Sequence, residues 1–231
     1  MGGCMMHPQS QTNKEKIKVL VVDDHPVVRF GLIHFINEDE DFCVCGEADN
    51  AHRTLQAIQE LEPDVAIIDI CLKGQSGIEL IKNIKVRYPE LPILAFSMYE
   101  ESIYAERLLC AGAKGYIMKQ EGCDKVIEGL HQVLSGGIFV STKIMSKIMN
   151  KYIENKPCTS GSPLDVLSDR ELEVFRLIGQ GYGTRQIAKE LFLGIKTVET
   201  YRAHIKSKLQ LHNSSELVQY AIKWGQSMFV S

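Results

Sequence analysis

Five short apolar runs punctuate the first half of the chain: Ile17–Val22, Phe42–Glu47, Val65–Asp69, Pro92–Ser97 and Lys114–Met118. Each is mostly apolar, as expected of strands covered on both faces. The segments between them carry a helical period. In the last, Val126, Ile127, Leu130, Val133 and Leu134 recur at helical spacing and form one apolar stripe. Pro26 stands where the first turn of a helix tolerates proline, and Gly136-Gly137 ends the final helix of the set. Strand and helix thus alternate, which predicts an α/β domain with a doubly wound, five-stranded parallel sheet.

The pattern changes after residue 137. Residues 154–163, Glu-Asn-Lys-Pro-Cys-Thr-Ser-Gly-Ser-Pro, are polar and turn-rich and read as a linker, with a short helix over Lys143–Tyr152 before them. Beyond the linker only helical periods remain. Ser168 with Glu171 has the spacing of a capping box. The helix it opens runs to about Ile178, with Leu172, Phe175 and Ile178 inward. Gly179 and Gly181 break it, and a short helix follows over Thr184–Leu191. Gly194 separates this from a longer helix, Lys196 to Leu209, and a fourth spans Ser214 to Trp224. Two short helices joined by a tight glycine-containing turn are the signature of a helix-turn-helix. At about 100° per residue, Val198, Ile205 and Leu209 share one side of the third helix. Glu199, Thr200, Ala203 and Ser207 take the other, with Arg202 and Lys206 on the flank. Small and polar side chains suit base edges and flanking cations suit phosphates. Thr197 and the helix N-terminus suit a phosphate as well.

The chemistry sits at the strand ends. Asp23 and Asp24 close the first run, Asp69 the third, Ser97 the fourth, and Lys119 follows the fifth. Such a sheet delivers three carboxylates, one hydroxyl and one ammonium to one edge. Three carboxylates gathered without a cation repel one another. Mg²⁺ prefers such hard oxygen donors, and a carboxylate is a competent nucleophile toward phosphorus. Taken singly, an acid at a strand end often only caps the next helix. A phosphatase or nucleotide-binding enzyme also remains open on these residues, although the Asp23-Asp24-His25-Pro26 turn lacks a glycine-rich phosphate loop.

Charge divides the chain in the same place. Residues 1–163 carry 17 Lys+Arg against 22 Asp+Glu, whereas residues 164–231 carry 9 against 7. An acidic half suits a metal site, and a mildly basic half is compatible with nucleic acid. The seven cysteines have no metal-ligand spacing, and a reducing cytosol is expected. No apolar stretch approaches the ~20 residues of a membrane span. Residues 1–15 are expected to be a disordered leader without a secretion signal.

Together these motifs resemble a known family. Val21-Val22-Asp23-Asp24-His25-Pro26, Ile67-Ile68-Asp69-Ile70, Ser97 with Met98-Tyr99, and Gly112 through Lys119 resemble the receiver domain of two-component response regulators. Leu167 through Val174 and Lys196-Thr197-Val198-Glu199 resemble the LuxR-type helix-turn-helix. In this order they resemble the NarL/FixJ family over roughly residues 16–225. The resemblance implies a flavodoxin-like receiver over residues 16–137, a linker over 138–163, and a four-helix DNA-binding domain over 164–231. It implies Asp69 as phosphoacceptor and Lys119 as the phosphate-binding lysine. Ser97 and Tyr116 would form a switch pair, Ser97 moving toward the phosphoryl group and Tyr116 rotating inward behind it. Asp24, Asp69 and the Cys71 carbonyl would hold Mg²⁺, with Asp23 acting through water.

Thr197, Glu199, Thr200, Arg202, Ala203 and Lys206 would meet DNA, and Leu217, Val218 and Ala221 would form a dimer contact. The implied partners are a sensor histidine kinase, double-stranded DNA and a second copy of the chain, with RNA polymerase as an open further partner. The implied role is a cytoplasmic, phosphorylation-controlled transcriptional regulator, with no enzymatic turnover beyond phosphoryl acceptance and its own dephosphorylation. Lys73 departs from the family, which usually has proline there, and Tyr99 is bulky beside the site. Both are expected to alter the lifetime of the phosphoryl group. An adaptor that has lost DNA binding, and a DNA-binding protein that has lost phosphorylation, are the rival readings.

Overall fold

The computed structural model describes residues 15–72, 75–153 and 163–228. The leader, most of the polar linker and Lys73 lie outside the described residues. The expected parallel sheet is formed by β1 (Ile17–Val22), β2 (Phe42–Ala48), β3 (Val65–Asp69), β6 (Ile93–Ser97) and β7 (Gly115–Met118). Its spatial order is β2-β1-β3-β6-β7, and all four pairings are parallel. Between β3 and β6 lies a small antiparallel pair, β4 (Cys71–Leu72) with β5 (Gln75–Ser76).

Both faces of the sheet are buried, which explains the near-continuous apolar runs. Val19, Val21, Val65, Ile67 and Leu94 face α1 (Pro26–Glu38) and α5 (Asp124–Leu134). Leu20, Val22, Ala66, Ile68 and Ile93 face α2 (Ala51–Leu61), α3 (Gly77–Arg87) and α4 (Glu101–Cys110). The order reverses at β1 and β3, so the crevice at their carboxyl ends is where a ligand site belongs in such a sheet.

Residues 138–153, which sequence places in the linker, are tied to this first unit. Phe139 exchanges backbone hydrogen bonds with Tyr116 and Lys114 at the sheet edge. The next helix, α6 (Thr142–Ile153), packs on α4 and buries Ile144.

The C-terminal unit begins with a 3-10 turn over Pro163–Val166. It continues with α7 (Asp169–Gly179), α8 (Thr184–Glu190), α9 (Ile195–Lys208) and α10 (Ser214–Met228). The capping box is complete: the Ser168 hydroxyl accepts from the Glu171 amide and the Glu171 carboxylate accepts from the Ser168 amide. In the turn between α8 and α9 the left-handed residue is Phe192, with φ of 51°, and Gly194 caps α9 in extended conformation. A glycine read as the break is therefore the cap, because Phe192, two residues earlier, takes the left-handed conformation.

One glycine is fixed by the site itself. A Cβ on Gly77 would collide with the Ile70 Cα and lie 2.7 Å from the Asp69 carbonyl oxygen. Gly77→Ala should therefore destabilise the fold by about 1–3 kcal/mol, as overpacking does. Urea unfolding checks this, and an unchanged midpoint would contradict the close approach.

Candidate functional site

The exits of β1, β3 and β7 bring the sequence-predicted acids and lysine into one buried cluster. Asp23 and Asp69 are each 1% exposed. The Lys119 ammonium lies 2.6 Å from Asp23 Oδ2 and 2.7 Å from Asp69 Oδ2. The lysine is held there from behind: its backbone amide donates to the Ser97 carbonyl and its ammonium lies over the Phe96 ring, 5.6 Å from the centroid. Asp69 Oδ1 accepts from the Cys71 amide at 3.0 Å, and Asp23 Oδ1 accepts from the His25 amide at 2.8 Å. One oxygen of each carboxylate is thus fixed by backbone and the other is bridged by the ammonium.

Burial pushes the Asp69 carboxyl above its ordinary range, outweighing the opposing pull of Lys119. Burial opposes the charge on Lys119 too, but Asp69 and Asp23 outweigh it and lift the ammonium's pKa. The lysine therefore stays charged as the countercharge of a desolvated acid pair.

Sequence reasoning left His25 without a role, yet its ring joins the cluster. Nδ1 lies 2.9 Å from Asp24 Oδ1 and 3.2 Å from Asp23 Oδ1. The signal was its place directly after the acid pair, at the N-cap of α1. Ligand atoms of Asp23, Asp24, His25 and Asp69 all fall within 4.8 Å of one another. A set dominated by carboxylate oxygens fits Mg²⁺, which takes hard oxygen donors and retains water.

Ser97 and Tyr116 stand beside this cluster, linked through Tyr99. The Tyr99 amide donates to Ser97 Oγ at 3.1 Å, and the Tyr116 hydroxyl donates to the Tyr99 carbonyl at 2.7 Å. Tyr116 is buried already, at 2% exposure. The ring thus stands in the inward position expected of the switch, its hydroxyl held by a backbone acceptor.

In the C-terminal unit, α9 presents Glu199, Thr200, Ala203 and Ser207 to solvent, along with Thr197. Val198 and Ile205 are fully buried behind them. Arg202 and Lys206 are half-buried on the flank, and burial lowers the Arg202 pKa. The helix is pinned to α7 by Glu171, which is buried and bridges to Lys208 at 2.6 Å, with His204 at 3.7 Å. Burial opposes the Glu171 charge, but the Lys208 bond and the cap donors outweigh it and lower the pKa. Lys208 thus serves the fold rather than the outer face.

The dimer residues need correction. Leu217 and Ala221 are 0% exposed, because they pack within their own domain's core, and Val218 packs against it. The outer side of α10 carries Ser215, Gln219, Ile222 and Lys223.

The Asp69 environment has a consequence for stability. A carboxyl whose folded pKa exceeds its unfolded value favours the fold while protonated, and that contribution is lost as pH rises through the folded pKa. Asp69→Asn should therefore raise the thermal midpoint of Mg²⁺-free protein at neutral pH, with the gain shrinking on acidification through the carboxylate range. A neutral-pH midpoint in EDTA below that of the wild type would contradict the burial argument.

Known proteins share both halves. Residues 19–131 match the response regulator receiver domain, and residues 165–221 match the bacterial regulatory proteins of the luxR family. The oxygen regulatory protein NreC of Staphylococcus haemolyticus is 36% identical over 211 residues, covering 90% of this chain and 97% of that protein. Among solved structures, the RcsB response regulator of Salmonella typhimurium superposes with a TM-score of 0.67 at 27% identity, over 90% of this chain and 98% of that one. RcsB of Salmonella enterica serovar Typhimurium, bound to the rprA promoter in the presence of the phosphomimetic BeF3⁻, gives 0.64 at 26%, over 90% and 99%. With a receiver sheet, a LuxR-type helix-turn-helix and relatives matched over nearly their whole length, the chain belongs to the NarL/FixJ-family response regulators, which are DNA-binding regulators of transcription.

Proposed function

We propose that Asp69 accepts a phosphoryl group from a sensor histidine kinase and that this event controls DNA binding by the C-terminal domain. The observation that carries the reading is the Asp69–Lys119–Asp23 cluster, buried at the switch point of the sheet. An Asp69 oxygen bonds to phosphorus as the bond from phosphorus to the kinase imidazole breaks. Lys119 is positioned to follow the new negative charge, exchanging a carboxylate for phosphoryl oxygens. Asp24, Asp69 and the Cys71 carbonyl would hold Mg²⁺, with Asp23 acting through water. The ion would shield the incoming group from the carboxylates. Ser97 Oγ, which accepts from the Tyr99 amide, would turn toward the product and leave that amide. Hydrolysis of the aspartyl-phosphate resets the protein, and Tyr99 and Lys73 tune that rate.

The DNA-reading surface is the outer face of α9. Glu199 suits a cytosine amino group, and Thr200 and Ala203 suit a thymine methyl. Thr197, Arg202 and Lys206 suit phosphates. So few cations favour a dimer on paired half-sites, joined through the exposed side of α10 rather than through Leu217 or Ala221. RcsB bound to promoter DNA with BeF3⁻ supports this reading. A regulator that acts on promoters belongs in the cytoplasm, with RNA polymerase as an open further partner. Among the described residues no helix is long and apolar enough to cross a membrane.

Phos-tag electrophoresis after treatment with acetyl phosphate and Mg²⁺, with footprinting on the same samples, tests the proposal. The wild type should give a retarded band and stronger protection of genomic fragments, and Asp69→Asn should give neither. A retarded band in Asp69→Asn would overturn the assignment. On α9, Lys206→Ala should weaken binding to all sequences and reduce the salt slope by about 1. Glu199→Ala should change preference at one base position by about 1–3 kcal/mol. Equal loss on every sequence for both variants would contradict the assigned face.

A further inference from the structure

The two domains meet beside the phosphoryl site. The Arg176 guanidinium, on α7, stacks over the Tyr99 ring at 4.9 Å from its centroid. Tyr99 stacks in turn on Tyr104 of α4, with centroids 5.3 Å apart. Tyr99 also lines one cavity with Cys71, two residues beyond Asp69. Nearby, Asp169 at the start of α7 pairs with Arg107 at 3.0 Å and Lys82 at 2.7 Å, both from the receiver. Arg107 also donates to the Leu164 carbonyl. A cavity of about 230 Å³ runs between the domains, with Asp24, His25 and Cys71 on one wall and Arg176, Gln180 and Tyr182 on the other.

Two facts give this contact a role. Tyr99 is the residue whose backbone ties Ser97 to Tyr116, so the seat of Arg176 is part of the switch itself. The DNA face of α9 is exposed while the domains are docked, so docking does not mask it.

Resting on the reading of Asp69 as phosphoacceptor, we infer that the Arg176–Tyr99 stack is the relay from the phosphoryl site to the DNA-binding domain. The relay fixes that domain's orientation and leaves its recognition helix uncovered. When Ser97 turns to the phosphoryl group, the Tyr99 amide loses its acceptor and the ring shifts under Arg176. The stack then loosens, and α7 is free to take the placement that a dimer on two half-sites requires. Coupling between two sites is reciprocal. A protein whose stack is removed already favours the shifted Tyr99, so it should bind the phosphoryl mimic more tightly.

The full-length chain tests this with its single tryptophan as reporter. Trp224 packs on Phe175 and lines a second interdomain cavity with Tyr99 and Arg176. Wild type, Arg176→Ala and Arg176→Lys are titrated with BeF3⁻ in Mg²⁺, bound fluoride is followed by ¹⁹F NMR, and Trp224 emission is read in parallel. Arg176→Lys keeps the charge but loses the planar guanidinium, so it remains informative should the alanine variant fold poorly. The expected result is a saturable change in Trp224 emission for the wild type. Both variants should begin near that end point and bind BeF3⁻ about 5-fold more tightly, the lower end of typical coupling. Wild-type affinity and emission in the variants would overturn the relay alone. Failure of the wild type to bind BeF3⁻ would overturn the phosphoacceptor reading and the relay with it.

Discussion

Three carboxylates at the ends of two neighbouring strands repel one another, and one lysine ammonium bridges the two that are buried. The bond lengths of 2.6 and 2.7 Å from Lys119 to Asp23 and Asp69 express that constraint. A carboxylate inside a protein is costly unless it is paired and hydrogen-bonded, and here backbone amides and the ammonium supply both. The surrounding fold follows from the need to deliver these groups. The strand order brings β1 and β3 side by side, Gly77 lets the chain pass close behind Asp69, and the Phe96 ring faces the lysine ammonium. The cluster is also poised: added negative charge on Asp69 would disturb each contact at once.

The C-terminal domain shows a parallel economy of charge. Its buried acid, Glu171, completes the α7 cap and pins Lys208 of the recognition helix. That helix is therefore oriented by a cation it cannot offer to DNA. The outer face is left with small and polar side chains, suited to base edges more than to tight phosphate binding. The sparse cations of one copy and the uncovered recognition helix lead to the same conclusion. On the proposed reading, domain placement and pairing, rather than access to the helix, are what phosphorylation has to control.

Much of this was legible in the residues alone. Apolar runs gave the five strands to within a residue or so, because strands buried on both faces leave little ambiguity. The chemistry at their ends was readable because parallel strands place their carboxyl ends on one edge. The helical period of α9 separated Val198 and Ile205 from Glu199 and Ala203 correctly. Periodicity names an apolar face but not its neighbour, which is why Leu217 and Ala221 were expected at a dimer contact and lie instead against α7. The same limit hid the Arg176–Tyr99 stack, whose partners lie in different domains. Sequence also does not reveal that the Tyr99 carbonyl holds the Tyr116 hydroxyl, because the two residues lie on different elements. His25 was overlooked because a residue at a helix N-cap has an ordinary structural explanation.

The central claim is that a single carboxylate, Asp69, becomes the acyl phosphate. Borohydride reduction converts an aspartyl-phosphate to homoserine. Peptide mass spectrometry after acetyl phosphate, Mg²⁺ and borohydride therefore reads the site directly. Homoserine at position 69 alone is the predicted result. Homoserine at position 23 or 24, or at no position, would contradict the account.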